Sequence, residues 1–342
     1  MRKLLNVLYV TNEEAYLAKE GEDVVIRLPE QKNVKIPSHN LEGIICFGYQ
    51  GASTKLMAMC AEKNIGMSFH TPYGKFLCRV QGEISGNILL RKTQYRVYED
   101  EYKSCLVAKN FIIGKLINYR NILNRFKRDY PDKFNENIKN SINYISDTIK
   151  NVEICENLDS LRGFEGSGSK FYFDVFDNLI LREKEYFKFN CRNRRPPLDR
   201  VNALLSFVYT LLSHDMESAI ESVGLDPQSG FLHRDRPGRN SLALDMIEEL
   251  RPYLGDRFVL KLINTKLIKE NDFIIKENGC VLLTEESRKV LLNAWQNRKK
   301  DFIIHPFLGE KIEIGLIPYV QALLFSRYLR GDLDEYPPYL MK

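Results

Sequence analysis

Hydrophobic positions in the first 90 residues occur in short runs. "KLLNVLYV", "AYLAKEGEDVVIRLP" and "LEGIICFG" are rich in Leu, Val, Ile and Tyr, and turn-forming "NEE", "EGED" and "IPSHN" separate them. Runs of this kind are typical of β-strands. One stretch, "TKLMAMCAEKNIG", has helical spacing and ends in glycine, as helices commonly do. Residues 1–90 are therefore predicted to form a small β-rich domain with one helix.

From residue 91 the hydrophobic positions take a helical period. "RKTQYRVYEDEYKSCLVAKNFIIGKLINYRNILNRFKRDYP" is predicted as one long helix, and "LDRVNALLSFVYTLLSHDMESAIESVG" as an apolar core helix that ends at Gly224. Residues 91–342 are predicted to form a larger, mainly α-helical domain, so the expected fold class is two-domain α+β. The tail "RYLRGDLDEYPPYLMK" is expected to lie on the surface.

Composition narrows the class of protein. The 342 residues suffice for two domains, and 44% hydrophobic with 28% charged residues is typical of globular chains. A net charge of +5 is too small to indicate nucleic-acid binding by itself. The seven scattered cysteines lack a C-x-x-C pattern, which favours a reducing cytoplasm over a disulfide or zinc framework. With neither a signal-peptide pattern nor a membrane-length apolar run, a cytoplasmic protein without membrane contact is expected.

The stretch "GFLHRDRPGRNSLALDMIEELRP" combines a histidine with three carboxylates. His233 precedes a predicted helix, on which about 100° per residue places Asp245, Glu248 and Glu249 on one narrow arc. This arc could be an ordinary solvated face. It could equally be part of a metal site, because an imidazole with carboxylates suits Mn²⁺ or Mg²⁺.

A glycine-rich stretch, "LRGFEGSGSKFYF", surrounds Glu165. Glycines allow a phosphate to approach the backbone closely, although an exposed helix-entry turn would look similar. A Walker loop is excluded because Ser169 separates Gly168 from Lys170. The chain also contains neither a G-x-S-x-G elbow nor a G-x-G-x-x-G motif after a strand, which disfavours serine hydrolysis and dinucleotide chemistry.

Basic residues accompany these stretches and a third one, "FNCRNRRPPLDRVNALLSF". Guanidinium groups match phosphates bidentately, although the third stretch could also be a solvated connector. The candidate DNA-binding residues are Arg162, Lys170, Arg192, Arg194, Arg195, Arg234, Arg236 and Arg239. The long predicted helix adds basic residues interleaved with the aromatic residues Tyr119, Phe126 and Tyr130, a mixture that suits DNA grooves and unstacked bases.

The three stretches, in this order and at these separations, resemble the CRISPR-associated Cas1 family of integrases and endonucleases. The resemblance covers essentially the whole chain and implies an N-terminal β-domain for dimerisation and partner binding, followed by a helical catalytic domain. It implies a metal-binding trio of Glu165, His233 and Glu248, with Asp245 as a further catalytic candidate. Many relatives have aspartate at the last position, so the choice between Asp245 and Glu248 as inner-sphere ligand stays open, and Glu249 is a weaker candidate.

The resemblance also implies an activity and partners. With Mg²⁺ or Mn²⁺, the 3′-hydroxyl of a prespacer would attack a phosphodiester at the repeat boundary of the CRISPR array. The expected partners are double-stranded DNA, a second copy of the chain as a homodimer, and the small subunit Cas2. The ending "RYLRGDLDEYPPYL" is similar to the type I-C branch. A metal-dependent nuclease for branched or repair DNA and a non-catalytic DNA-binding scaffold are the alternatives.

Overall fold

The protein's computed structural model describes residues 6–72, 76–82 and 88–341. These residues fall into two compact units. The first contains the described residues up to 82 together with 283–301 and 313–315, and the second contains the remainder. A β-rich N-terminal region followed by a mainly helical one confirms the predicted α+β class.

The first unit contains a four-stranded and a three-stranded sheet. Its elements are β1 Asn6–Val10, β2 Tyr16–Glu20, β3 Asp23–Arg27, β4 Val34–Pro37, β5 Leu41–Phe47, α1 Thr54–Glu62, β6 Gly66–His70 and β7 Phe76–Val80. The larger sheet has the order β1-β5-β6-β7, in which β1, β5 and β6 are parallel and β7 is antiparallel to β6. The smaller sheet, β2-β3-β4, is antiparallel.

Helix α1 joins β5 to β6 and closes the core of this unit. The Ser53 side chain accepts a hydrogen bond from Leu56 N at 3.3 Å, which satisfies a free amide of the first turn. Leu56, Met59 and Cys60 then bury one side of the helix among the apolar residues of both sheets. A parallel β5–β6 pair requires such a crossover connection.

Helix α9, Glu285–Lys299, belongs to the first unit, whereas the sequence division at residue 90 had placed it in the helical domain. Gln296 Nε2 donates to Tyr9 Oη at 3.1 Å, and Lys299 Nζ lies 3.8 Å from Glu42 Oε1. Trp295 is buried, as its helical spacing predicted. These contacts join segments far apart in the chain, and hydrophobic periodicity carries no information about such pairs.

The second unit is a helical assembly. Its helices are α2 Ile88–Glu99, α3 Glu101–Asp129, α4 Glu136–Glu153, α5 Leu158–Asp174, α6 Arg200–Ser222, α7 Ser241–Met246, α8 Arg257–Asn264 and α10 Ile317–Leu329. The single long helix predicted from the sequence is in fact α2 and α3. Asp100 separates them, and its carboxylate caps α3 by accepting from Lys103 N at 3.0 Å. Gly224, with φ +85°, ends α6 as predicted.

Helices α3 and α5 approach each other closely. Gly168 of α5 lies against Leu116 of α3, where a Cβ atom would clash with the leucine side chain. One turn further along α3, the rings of Tyr119 and Tyr172 stack at 3.7 Å between centroids. The glycine-rich stretch therefore lies inside α5, and the alternative of an exposed helix-entry turn is excluded.

The remaining strands form two short pairs, and the tail is packed against the helices. The pairs are β8 Phe273–Ile275 with β9 Val281–Leu283, and β10 Phe302–Ile304 with β11 Lys311–Glu313. Tyr336 and Tyr339 are buried, so the predicted surface location of the tail was wrong. All seven cysteines lie in the described part of the chain and are free thiols. Across the described residues, no helix is both long enough and apolar enough to span a membrane.

Candidate active site

Asp245 holds the histidine loop in place. Its Oδ2 accepts from Phe231 N at 2.6 Å and Leu232 N at 2.9 Å, and its Oδ1 accepts from His233 N at 3.1 Å. The same Oδ1 lies 2.5 Å from His233 Nδ1. Because a carboxylate only accepts hydrogen bonds, the shared proton belongs to Nδ1, and Nε2 lies on the other side of the ring, toward Glu248.

The three carboxylates predicted on one helical arc are all buried, and Glu249 points away from the other two. Asp245 is 0% exposed, Glu248 2% and Glu249 0%. Helix α7 ends at Met246, and a buried π-helical turn follows at Arg251–Asp256. The backbone therefore leaves the 100° period after Met246, and the expectation of one shared arc was wrong for Glu249. A solvated acidic face is excluded as well.

Lys115 joins two of the candidate residues. Its ammonium forms ion pairs with Glu165 Oε1, from α5, and with Glu248 Oε2, the latter at 2.7 Å. Ser169 Oγ also donates to Glu165 Oε1 at 2.9 Å. His233 approaches from the other side, with Nε2 4.0 Å from Glu248 Oε1. The structure thus links Glu165 and Glu248 through one buried lysine and places His233 beside Glu248.

The charges in this cluster stabilise one another. Burial opposes the charge of Glu248, but Arg251 and Lys115 outweigh it and lower the pKa of that carboxyl to about 2. Burial likewise opposes the charge of Lys115, yet Glu165 and Glu248 raise its pKa above the ordinary value. Against its own burial, Lys115 also lowers the pKa of Glu165. The two carboxylates and the ammonium are accordingly all ionised at neutral pH.

Glu249 belongs to a separate structural network. Its carboxylate accepts from Tyr336 Oη at 2.6 Å, Gln321 Nε2 at 2.8 Å and Tyr339 N at 3.0 Å. Burial nevertheless raises its pKa to about 7. Asn118 of α3 ties the same segment to the tail by donating to Glu249 O and Tyr339 O. Glu249 anchors the tail rather than facing the site, so the structure contradicts its candidacy as a ligand.

The donor set fits a divalent ion in its chemistry. Glu248 Oε2 is buried and has no hydrogen-bond partner in the described structure, because the nearby Lys115 Nζ makes an ion pair outside hydrogen-bond alignment. Two carboxylates and one neutral imidazole nitrogen are ligands that Mg²⁺ or Mn²⁺ accepts. Within residues 6–72, 76–82 and 88–341, however, no three acidic, histidine or cysteine side chains are already arranged to hold a metal. The lysine ammonium lies between the two glutamates instead.

Two of the candidate DNA-binding arginines secure the site. Arg162 Nε donates to Leu232 O at 2.6 Å, one residue before His233. Arg162 and Arg234 both bind Asp159 Oδ1, at 2.6 and 2.9 Å. These bonds fasten the histidine loop to the first turns of α5. Lys170 is exposed on the same helix.

The remaining candidate arginines lie in two loops near Asp245. Arg194, Arg195 and Arg236 are exposed, whereas Arg239 is half-buried. Burial, and then the neighbouring charges of Arg236 and Arg195, lower the pKa of Arg239. The loops therefore concentrate positive charge that an anion would relieve.

Arg192 has a structural role. Its Nη1 donates to Asn202 Oδ1 at 2.6 Å, and its guanidinium lies 5.3 Å from the Tyr209 ring centroid. Arg251 lies 5.1 Å from the same ring. Tyr209 thus lies near two guanidinium groups, one of which, Arg251, pairs with Glu248.

Sequence reasoning missed Lys115 and misjudged two aromatic residues. Tyr119 and Phe126, considered for base stacking, are buried in the core. Lys115 was detectable, because it occupies the apolar side of α3 among Ile112, Leu116 and Tyr119 at helical spacing. A lysine on a buried helical face requires an acidic partner.

An α+β architecture with buried carboxylates and a histidine beside cationic loops is the arrangement expected of an enzyme that acts on phosphodiesters. The family model for CRISPR associated protein Cas1 matches residues 8–297. The chain therefore belongs to the Cas1 family, as its sequence resemblance indicated. Curated relatives are named CRISPR-associated endonucleases, and the chain is an enzyme of that class.

Relatives match over the full length. A CRISPR-associated endonuclease Cas1 of Chlorobaculum tepidum is 48% identical, with 100% of both chains covered. One of Moorella thermoacetica is 38% identical with the same coverage. Among solved structures, a casposase bound to its integration product has a TM-score of 0.84 at 24% identity, covering 98% of this chain and 94% of that one. A Cas1 protein of Thermotoga maritima has a TM-score of 0.82 at 22% identity, covering 96% and 97%. These two solved structures have the same fold as this chain.

Proposed function

We propose that this chain is the metal-dependent integrase of CRISPR adaptation, which inserts prespacer 3′-hydroxyl ends at the repeat boundary. The observation that carries the proposal is that Glu248 lies between the other two candidates: Lys115 links it to Glu165, and His233 Nε2 lies 4.0 Å from its Oε1. These three residues would hold Mg²⁺ or Mn²⁺. A bound divalent ion would stabilise the attacking and leaving oxygens of a phosphodiester.

We assign Glu248 as a ligand and Asp245 as a positioning residue. Both oxygens of Asp245 are already engaged by three backbone amides and the imidazole, so binding an ion would break that network. Glu248 retains an oxygen without a directed hydrogen bond. Asp245 would instead keep the proton on His233 Nδ1 and present Nε2, the usual arrangement behind a metal-binding histidine.

The arginine loops would bind the DNA backbone. Arg195, Arg236 and Arg239 concentrate positive charge near the site, and phosphate contacts fix the position of a duplex without reading its sequence. In the joining step, the prespacer 3′-oxygen forms a bond to phosphorus and the target strand's P–O3′ bond breaks. The cationic loops would orient that bond toward the carboxylates.

The exposed surface of α5 next to Glu165 supports close DNA approach. At Gly163 and Gly166, a Cβ atom would meet nothing within 4 Å. Glycine in a helix interior costs stability relative to alanine, and these two have no packing reason of their own. We propose that they leave room for a phosphate beside Glu165.

The proposed partners are duplex DNA, Cas2 and a second copy of the chain. A structure titled Cas6-RT-Cas1–Cas2 complex has a TM-score of 0.82 with this chain at 19% identity, covering 100% of this chain and 36% of that one. The casposase structure carries an integration product. We also propose assignment to the type I-C branch, on the tail sequence "RYLRGDLDEYPPYL"; the CRISPR subtype of the neighbouring genes tests it.

The test is strand transfer. A labelled prespacer with 3′-hydroxyl ends is incubated with the protein, with or without Cas2, and a plasmid carrying the repeat array. Parallel reactions contain Mn²⁺, Mg²⁺ or EDTA, and His233→Ala is compared with Lys109→Gln, a variant of an α3 lysine bonded to Glu153 O. We expect metal-dependent joining of label to plasmid, lost in His233→Ala and retained in Lys109→Gln. Cutting without joining would indicate a nuclease, and binding alone a scaffold.

A further inference from the structure

A buried lysine lies where the proposed metal site should be. Lys115 Nζ pairs with both Glu165 and Glu248, and its side chain is only 3% exposed. Two carboxylates held this close repel each other strongly unless a cation lies between them. The observation therefore needs an explanation beyond an ordinary surface ion pair.

We propose that Lys115 is a tethered counter-ion that occupies the metal position in the metal-free protein and competes with the divalent ion for it. The inference rests on the proposed metal dependence, and it adds that Lys115 limits how tightly the site binds the metal. The ammonium keeps the two glutamates together before the metal arrives. For the same reason, a metal has to displace it before both carboxylates can act as ligands.

The surroundings of Lys115 allow that displacement. The centroid of the Tyr119 ring lies 5.5 Å from Nζ, within the range of a cation–π contact. That ring is fixed by stacking on Tyr172. Lysine is a point charge on a flexible stem with several rotatable bonds, so the ammonium can leave the carboxylates while α3 stays in place.

Removing the charge of Lys115 should strengthen metal binding. We expect Lys115→Gln to bind Mn²⁺ at least tenfold more tightly than the unmodified protein, measured by the electron paramagnetic resonance signal of free Mn²⁺. Lys115→Arg keeps the charge and should show no such gain. Lys109→Gln removes a charge from the same helix at a residue bonded to a backbone carbonyl, and it should bind Mn²⁺ as the unmodified protein does.

Thermal unfolding gives a second measurement. In EDTA, Lys115→Gln should melt below the unmodified protein, because two ionised glutamates then face each other. Mn²⁺ should raise its melting temperature more than that of the unmodified protein. If Lys115→Gln is unfolded in EDTA, Mn²⁺ must restore its fold, and failure to do so would overturn the proposal.

The outcomes separate this inference from the proposed function. If the unmodified protein binds Mn²⁺ in a His233-dependent manner and folded Lys115→Gln binds it no more tightly, Lys115 is not a competing counter-ion, and the metal site stands. If neither protein shows Mn²⁺ binding that His233→Ala abolishes, both the metal site and the counter-ion are rejected.

Discussion

Replacing Asp245 by asparagine tests whether this residue positions the histidine loop. The carboxylate accepts from three backbone amides and from His233 Nδ1. Asparagine has one oxygen, so its amide group must face at least two of these four donors. Each buried donor left unsatisfied costs about 1–3 kcal/mol. We therefore expect Asp245→Asn to lose about 2–6 kcal/mol of unfolding free energy in EDTA.

The assay is urea unfolding in EDTA followed by circular dichroism. Asp235→Asn is the matched control, because Asp235 is an exposed residue of the same loop that accepts one bond from Tyr98 Oη; its loss should be below about 1 kcal/mol. A metal ligand behaves differently, since its removal weakens Mn²⁺ binding without unsatisfying the backbone amides of the histidine loop. If Asp245→Asn kept its stability in EDTA yet bound no Mn²⁺, the positioning role would be refuted.

Three further variants follow from the same contacts. Gly166→Ala should raise stability by up to about 1 kcal/mol in thermal melts, while strand transfer falls at least tenfold. Tyr336→Phe removes a donor to buried Glu249 and should cost about 1–3 kcal/mol in urea unfolding. The third variant is Glu248→Gln, because the pKa of Glu248 is lowered from 4.5 to about 2. In EDTA the ionised carboxylate contributes about 3 kcal/mol of stability above pH 4.5, and this contribution is lost as the pH falls toward 2. Glu248→Gln should therefore reduce the loss of stability between pH 4.5 and 2.

For each of these three predictions, one result would contradict it. Gly166→Ala with full strand transfer would show that no phosphate approaches α5 there. Tyr336→Phe with unchanged stability would mean that the tail network contributes nothing. If Glu248→Gln kept the acid dependence of the unmodified protein between pH 4.5 and 2, another carboxyl would be responsible for it.

The strands and helices that could be predicted from the sequence are those that depend on the local spacing of hydrophobic residues. Short apolar runs indicated the β-rich region, runs of helical period indicated the helical one, and Gly224 ended α6 as expected. The three site residues came from the resemblance to the Cas1 family, and the structure brings them together. Their carboxylate and imidazole chemistry is readable from sequence because it depends on residue type.

The features that could not be predicted depend on tertiary contacts or on small changes of backbone period. Glu249 departs from the expected arc because α7 ends at Met246 and residues 247–250 form a turn instead of continuing the helix. The tail is buried because Tyr336 and Tyr339 bind that same glutamate. The glycine-rich stretch is helical, and its Gly168 is explained by the close contact of α5 with Leu116 of α3. No local pattern contains these partners.

The most direct measurement of the central claim is an anomalous difference map from crystals soaked with Mn²⁺. We expect one strong peak in bonding range, about 2.1 Å, of Glu165, His233 Nε2 and Glu248, with Asp245 still bonded to the histidine loop. The Lys115 ammonium should have left its position between the two glutamates. A peak bound to Asp245 or Glu249, or no peak at these residues in soaked crystals, would contradict the proposed site.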